Sequence, residues 1–180
     1  MIKQTATLSL DPGTISGLIV LNNQYPFNVL FKKTINCKKV SLSGIVRDLK
    51  DALADKNIII EHAVIENQYI GINPKSGLVL AQNAGQWKEA CLSSKIPVEF
   101  IYPTTWQFAM LKGLIKRNSK RQEIEKYCAI VTGQLFKKNL SPHINDAYLM
   151  GLYYVKKNAS SNMLKNIVDR LSKVKKRRKV

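Results

Sequence analysis

The order of the predicted strands constrains the fold more than any other feature of the sequence. Residues 5–10 alternate polar and apolar side chains, and two further strand-like segments occupy residues 17–21 and 27–34. Turn-forming residues separate the three segments, at residues 11–14 and 22–26. Three short strands in direct succession, joined by turns, predict an antiparallel meander.

Beyond the meander, predicted helices begin to alternate with strands. Apolar residues recur at helical spacing around residues 42–53, a short strand follows at 63–66, and a helix at 76–94 precedes a strand at 98–102. Further helices are predicted over residues 105–111, 121–131, 144–157 and 163–173. Crossover helices around the last two strands predict an α/β fold with a mixed five-stranded sheet that helices cover on its faces.

The composition is that of a folded domain with an unusual charge balance. A chain of 180 residues with 45% hydrophobic residues fits a single core. The 29 Lys and Arg outnumber the 12 Asp and Glu, and the net charge is +17. Such a surplus favours a polyanionic partner such as nucleic acid, bound in a salt-dependent way. Basicity alone does not exclude a ribosomal-type protein or a merely soluble basic one.

The cysteines and the apolar segments indicate where the protein works. Cys37, Cys91 and Cys128 are far apart and form no CxxC pattern, so we expect reduced thiols and no zinc site. Residues 1–10 lack the apolar core of a signal peptide, and no apolar run reaches membrane-spanning length. We expect a cytoplasmic protein, or a nuclear or viral-factory one in a eukaryotic host, with neither membrane contact nor a small-molecule cofactor.

Three acids and a histidine occupy positions where strands end or a helix begins. Asp11 ends the first strand at a Pro-Gly turn, and Glu66 ends the fourth strand. Asp146 lies in the first turn of a helix that Ser141-Pro142 introduces, and His143 lies three residues before it on the same side. These four side chains are therefore expected to converge at one end of the sheet.

This group of side chains suits phosphodiester cleavage. The reaction needs an activated water, relief of charge on the phosphate and stabilisation of the leaving oxygen, and two divalent ions roughly 3.5–4 Å apart supply all three. Carboxylates are the hard oxygen ligands that Mg²⁺ prefers. Each residue alone has an ordinary explanation, as a turn residue, a strand-end acid, a partner of the helix dipole or a surface histidine. Only the four together predict a metal-dependent nuclease.

Several motifs, in the same order and at similar spacing, resemble those of RuvC-type Holliday junction resolvases. They are Leu8-Ser9-Leu10-Asp11-Pro12-Gly13-Thr14 with Gly17, Ala63-Val64-Ile65-Glu66 with Tyr69, residues 73–89, residues 97–103, Lys120-Arg121-Gln122-Glu123-Ile124, and His143-x-x-Asp146-Ala147. The resemblance covers about residues 5–155, and its strength lies in the combination of motifs.

The resemblance implies a ribonuclease-H-like fold, two Mg²⁺ ions and a homodimer that nicks four-way or other branched DNA symmetrically, leaving 5′-phosphate ends. It implies that Asp11, Glu66 and Asp146 are metal ligands and that His143 is a ligand or a water-orienting base. Imidazole is a softer ligand than carboxylate, so Mn²⁺ should also be accepted. Lys120 would offer positive charge to the scissile phosphate.

The same resemblance indicates how DNA is held. Tyr69 is expected to stack on an unpaired base, or alternatively to pack on the adjacent helix. Near Gln107 such proteins tend to carry a basic residue, which this chain lacks, and Trp106 is expected in the core. The basic residues expected to contact DNA are Lys112, Lys116, Arg117 and Arg121.

The C-terminal segment differs in character from the rest. We expect residues 1–158 to form the nuclease domain and residues 159–180 to form an amphipathic helix with a basic tail. The tail carries six basic residues between Lys173 and Lys179. We expect it to be an arm that makes nonspecific contacts with phosphates, and the alternatives are a nuclear-targeting signal or a solvated tail.

Three other functions are consistent with parts of the sequence. Asp-Pro-Gly-Thr after a strand also resembles the opening of actin-like and sugar-kinase ATPases, but those need two such domains and 180 residues are too few. A nonenzymatic nucleic-acid-binding module of this fold would be expected to have lost an acid. A nuclease of the same fold acting on forks, flaps or structured RNA stays open, because loops and dimer geometry determine the substrate.

Overall fold

A computed structural model describes residues 3–67, 74–136 and 140–159 of the chain. Five strands and five helices follow one another within these ranges. They are β1 (Gln4–Asp11), β2 (Ile15–Asn22), β3 (Val29–Asn36), α1 (Leu42–Ala54), β4 (Ile58–Glu66), α2 (Pro74–Ser93), β5 (Val98–Ile101), α3 (Pro103–Met110), α4 (Arg121–Phe136) and α5 (Pro142–Asn158).

The five strands form one mixed sheet in the order β3-β2-β1-β4-β5. The first three strands are the predicted antiparallel meander, since β1 pairs with β2 and β2 with β3 in opposite directions. β4 runs parallel to β1, and β5 runs parallel to β4. The structure therefore confirms the predicted fold class, and it places the carboxyl ends of β1 and β4 at the same edge of the sheet.

Helices cover both faces of the sheet. One hydrophobic core lies between the sheet and helices α1 and α2, and a second lies between the sheet and helices α3, α4 and α5. In β1 the buried Leu8 and Leu10 belong to the first core. Because side chains of a strand alternate between faces, Ser9 points the other way, and its hydroxyl donates a 2.6 Å hydrogen bond to the Ala147 carbonyl of α5.

The predicted and observed elements differ mainly in where strands begin. β4 begins at Ile58 rather than at residue 63, and it pairs with β1 from Gln4 onward. The pairing shifts register between Ala6 and Thr7, which interrupts the simple alternation that sequence patterns detect. β3 begins at Val29 rather than at residue 27. The predicted helix over residues 163–173 and the basic tail lie outside the described residues.

Two other expectations concern the cysteines and the membrane. Cys91 and Cys128 are buried, Cys37 is partly buried, and all three are free thiols, as predicted. Among the helices that the structure describes, none is long and apolar enough to cross a membrane.

Candidate active site

Two of the four predicted residues meet at the carboxyl edge of the sheet. β1 and β4 are neighbouring parallel strands with Leu10 opposite Ile65, and the next residues along are Asp11 and Glu66. Alternation along β1 places Asp11 on the same face as Ser9, the face that α5 covers. Val64 belongs to the core on that face, so Glu66, two residues later, also points towards it.

Helix α5 brings the other two predicted residues to this edge. The Ser141 hydroxyl accepts a hydrogen bond from the Ile144 N–H at the start of the helix, and Pro142 occupies the first turn. The first turn therefore has a fixed geometry, and it carries His143 and Asp146 on one side. The bond from Ser9 to Ala147 anchors the helix to β1 directly after Asp146.

A glycine in β2 allows the first turn of α5 to approach the sheet. A Cβ atom built on Gly17 would lie 3.1 Å from the His143 Cβ and still closer to the His143 carbonyl group. Any side chain at this position would push His143 away from the sheet. Gly17 belongs to the motif that begins with Leu8, but the sequence contains no sign that its neighbour is His143.

The four residues line one cavity, whose volume is about 480 Å³. The cavity is also lined by Pro12, Gly13, Leu80, Pro103, Gln107, Ser119, Arg121, Ile124 and Glu125. The structure thus brings together Asp11, Glu66, His143 and Asp146, as the sequence predicted. It adds a further carboxylate, Glu125, which sequence reasoning did not select.

Two hydrogen bonds hold the acids at the ends of the strands. His143 Nδ1 lies 2.9 Å from Asp11 Oδ2, and it donates when that carboxylate is ionised. Trp106 Nε1 donates to Glu66 Oε1 over 2.9 Å. The His143 side chain is 37% exposed and that of Asp11 is 12% exposed, so the imidazole forms the accessible side of the pair.

Burial raises the pKa of both Asp11 and Asp146, and repulsion from Asp11 adds to the rise at Asp146. Burial, followed by repulsion from Asp11, raises the pKa of Asp146 to about 7. Burial also raises the pKa of Asp11, although the hydrogen bond from His143 partly offsets it. That same hydrogen bond raises the pKa of His143. Repulsion between carboxylates in a poorly solvated site is a condition that bound cations relieve.

A buried thiol on α4, that of Cys128, lies near Asp146. Burial raises the pKa of Cys128 well above its usual range, so the group stays a neutral thiol. The charge of the nearby Asp146 carboxylate adds to the rise in the pKa of Cys128. One turn further along α4, the Thr132 hydroxyl lies 2.6 Å from the side-chain oxygen of Asn145, the residue before Asp146. Helix α4 therefore holds the first turns of α5 in place.

The basic residues at the start of α4 divide between two cavities. Arg121 lines the cavity with the acids, and its Nε lies 2.7 Å from Glu125 Oε1 one turn later. The Glu125 hydrogen bond, followed at longer range by Asp146 and Asp11, raises the pKa of Arg121. Lys120 is exposed and lines an adjoining cavity with Lys116. Ser119 lines both cavities, so the two basic residues flank the same rim.

The remaining residues predicted to contact DNA lie on the surface or outside the described residues. Lys112, Lys116 and Arg117 are exposed in the segment between α3 and α4. Gln107 lines the cavity with the acids. Tyr69 lies outside the described residues.

The donor atoms of the cavity suit a divalent cation, although their present positions do not form a closed cage. Carboxylate oxygens with one imidazole nitrogen form a ligand set that accepts Mg²⁺ and Mn²⁺. Within residues 3–67, 74–136 and 140–159, no three His, Cys, Asp or Glu side chains are already arranged to hold one ion. Asp11 is hydrogen-bonded to His143 and Glu66 to Trp106.

The sheet order and the crossover helices together define a ribonuclease-H-like fold. The chain is similar to two structures of RuvC from Thermus thermophilus, one of them "in complex with Holliday junction substrate". With that complex the TM-score is 0.60 at 15% identity, over 82% of this chain and 91% of the other. With the other structure the TM-score is 0.59 at 16% identity, over 82% and 92%.

A third similar structure comes from yeast. It is the mitochondrial Holliday junction resolvase Ydc2, with a TM-score of 0.50 at 12% identity, over 83% of this chain and 77% of that one. No protein-family model and no curated protein matches the sequence. At these identities the likeness shows the fold, and the activity has to be argued from the site.

Proposed function

We propose that this protein is a metal-dependent endonuclease that resolves four-way DNA junctions by paired, symmetric nicks. The observation that carries the proposal is the cavity at the carboxyl edge of β1 and β4, where Asp11, Glu66, His143 and Asp146 meet. Buried carboxylates that lie close together destabilise a fold. Their presence in one cavity of a strongly basic chain therefore indicates a site that suits cations.

The residues of the cavity divide the work of hydrolysis. Asp11, Glu66 and Asp146 would hold two Mg²⁺ ions, with Mn²⁺ also accepted. Bound there, the ions would supply an activated water and neutralise charge on the phosphate and the leaving 3′ oxygen, and attack of the water with breakage of the P–O3′ bond would give a 5′-phosphate and a 3′-hydroxyl end. His143 either adds its free ring nitrogen as a ligand or orients the water, and Asp11 fixes its tautomer through Nδ1.

The basic rim would hold the scissile strand. Arg121 lines the cavity with the acids, Lys120 lines the adjoining cavity, and Ser119 lines both. The Lys120 carbonyl accepts hydrogen bonds from the Glu123 and Ile124 N–H groups, so Lys120 begins α4 at its positive end. Both side chains and the helix end favour a phosphate at this rim. Lys112, Lys116 and Arg117 would contact the DNA beyond this rim, and Tyr69 would stack on an unpaired base.

Branched DNA is the substrate that best fits a pair of such sites. A four-way junction has approximate two-fold symmetry, and symmetric nicks require two active sites, which a C₂ homodimer provides. Helix α2 offers a surface for such a dimer. Its Leu78 and Leu92 are exposed, at 55% and 45%, and their separation of two heptads places them on one face with the exposed Gly85.

Cleavage of a four-way junction in Mg²⁺ or Mn²⁺ and its loss in Asp11→Asn are the expected results for this proposal. The asparagine keeps the shape of Asp11 but lacks the charge that would hold an ion beside His143. The measurement is a gel that compares a four-way junction, a Y-fork and a linear duplex, each with Mg²⁺, Mn²⁺ or EDTA. Paired nicks in the junction and no cleavage in EDTA are expected.

The same gel separates the proposal from its alternatives. Linear duplex cut as fast as the junction would exclude a resolvase, and undiminished cleavage by Asp11→Asn would exclude the assigned metal site. A fork cut faster than the junction would instead favour the broader branched-DNA nuclease. Exposed Asp51, in α1 on the other face of the sheet, provides the control variant Asp51→Asn.

Loss of the positive charge of Lys120 or of Arg121 should slow cleavage more than it weakens binding of the junction. We expect Lys120→Ala and Arg121→Ala each to lower the single-turnover cleavage rate about 10²-fold, because each removes a charge that acts on the transition state. Junction affinity should change only a few-fold. The control is Lys126→Ala, which removes an exposed charge from the same helix at a position that lines neither cavity. Equal rates in all three variants would contradict the assigned roles.

A further inference from the structure

The two tryptophans of this protein make the same kind of hydrogen bond in two different cores. Trp87 and Trp106 are both fully buried, at 0% exposure. Trp87 Nε1 donates to Ser16 Oγ in the core under α1 and α2, and Trp106 Nε1 donates to Glu66 Oε1 in the core under α3, α4 and α5, each over 2.9 Å. A buried indole N–H requires an acceptor, and Trp106 finds it in one of the four site residues.

The pairing of β4 with β5, and the start of α3 after β5, place Trp106 next to Glu66. Glu66 pairs with Ile101 across β4 and β5, and the Asn67 N–H donates to the Ile101 carbonyl over 2.8 Å. Helix α3 begins at Pro103, directly after β5, and its first turn carries Trp106 back over the end of β4. The backbone of Glu66 and the indole are therefore fixed to the same strand pair.

An indole is well suited to holding a carboxylate that must also bind a cation. Its N–H is a neutral donor on a rigid ring, so it orients the carboxylate and leaves the negative charge in place. A lysine or arginine would cancel that charge. A carboxylate has lone pairs for several partners, so accepting from Trp106 does not prevent it from binding an ion. Outer partners of this kind commonly set the orientation and affinity of metal ligands.

We propose that Trp106 is a positioning residue for Glu66. Through its indole N–H, Trp106 sets the affinity of the site for divalent ions. The proposal rests on the ion-dependent nuclease function proposed above. It predicts that loss of the N–H, with the ring retained, raises the dissociation constant for Mn²⁺ about tenfold. The rate at saturating Mn²⁺ should fall much less, since Glu66 itself remains.

The experiment compares two phenylalanine variants of the full chain. Mn²⁺ binding is measured by calorimetry without DNA for the wild type, for Trp106→Phe and for Trp87→Phe, and urea unfolding reports the stability of each. Trp87→Phe is the matched control, because it removes an equally buried indole with an equally short hydrogen bond. We expect about a tenfold weaker Mn²⁺ affinity in Trp106→Phe and an affinity within about twofold of the wild type in Trp87→Phe. The Mn²⁺ concentration for half-maximal junction cleavage should move by the same factor.

Further variants separate positioning from packing. Replacing Trp106 with benzothienylalanine, which has sulfur in place of the N–H, keeps the shape of the ring and should weaken Mn²⁺ binding as Trp106→Phe does, even where the phenylalanine variant does not fold. In Trp87→Phe, Trp106 is the one indole left in the chain, and its fluorescence should change as Mn²⁺ binds.

Each outcome bears on one of the two proposals. Wild-type affinity in the benzothienylalanine variant, or equal losses in Trp106→Phe and Trp87→Phe, would overturn the role of Trp106. A wild type that binds no Mn²⁺ and cleaves in EDTA would instead overturn the proposed metal-dependent function.

Discussion

Asp146→Asn should abolish cleavage and, at the same time, make the metal-free protein more stable. Asp146 is the acid for which burial and the repulsion of Asp11 together raise the pKa to about 7. Loss of an outer partner of a metal site costs roughly 10–10²-fold in activity or affinity, and we expect loss of a direct ligand to cost more than about 10²-fold. The gain in stability follows from removal of a buried charge.

The sign of the stability effect follows from the direction of the pKa shift. A carboxyl group with a pKa of about 3.9 in the unfolded chain and about 7 in the folded protein loses stability as the pH rises between these values. Three pKa units correspond to roughly 4 kcal/mol at pH 8. The asparagine amide is itself costly to bury, so we expect a net gain of about 1–3 kcal/mol. The gain should grow from pH 4 to pH 7 and then level off.

Urea unfolding in EDTA at pH 4.5 and pH 8 measures this effect. Exposed Asp51→Asn is again the control, and its stability should follow that of the wild type at both pH values. Mg²⁺ at about 100 times its dissociation constant should stabilise the wild type by about 2.7 kcal/mol and Asp146→Asn far less. A stability gain that is the same at both pH values would contradict the assignment of the charge to Asp146, and retained cleavage would exclude its role as a ligand.

Local sequence patterns predicted most of the fold because β1 alternates in a simple way and turn residues separate it from the apolar runs that follow. Along β1, Leu8 and Leu10 enter one core while Ser9 faces the other, and the period of two is visible in the sequence. The first half of β4 escaped prediction because Glu61 and His62, two adjacent polar residues, interrupt its apolar run. Pairing with β1 makes those residues a strand, and that pairing is a tertiary contact.

The candidate site likewise has one part that local sequence patterns predicted and another that depends on tertiary contacts. Asp11, Glu66 and Asp146 were predictable because strand ends and helix starts mark them in the sequence, and parallel strands bring their ends to one edge. Trp106 was predicted in the core, and its bond to Glu66 is the part that the sequence does not reveal. Glu125 carries only a weak local sign, its spacing of one turn from Arg121. Such contacts depend on how the helices pack on the sheet.

Gly17→Ala should damage both the fold and the site, because it acts where β2 meets the first turn of α5. The added methyl group would overlap the backbone of His143, which cannot rotate away as a side chain does. Overpacking of a rigid core commonly costs about 1–3 kcal/mol, and we expect the upper end or more for a collision with backbone. The displacement would move His143 away from Asp11, so cleavage should fall even under conditions where the variant is fully folded.

Two other glycines make the test specific to His143. Gly44→Ala, in α1, would bring its methyl group only to 3.5 Å from the Ser41 side chain, and alanine should gain up to about 1 kcal/mol in a helix. Gly151→Ala crowds Leu21 and Ser9 at 2.8 Å, further along α5. It should lower the urea midpoint as Gly17→Ala does, but it should spare more of the cleavage rate when both variants are assayed fully folded. If Gly17→Ala cleaved as well as Gly151→Ala at equal stability, the contact of β2 with His143 would not be what sets the geometry of the site.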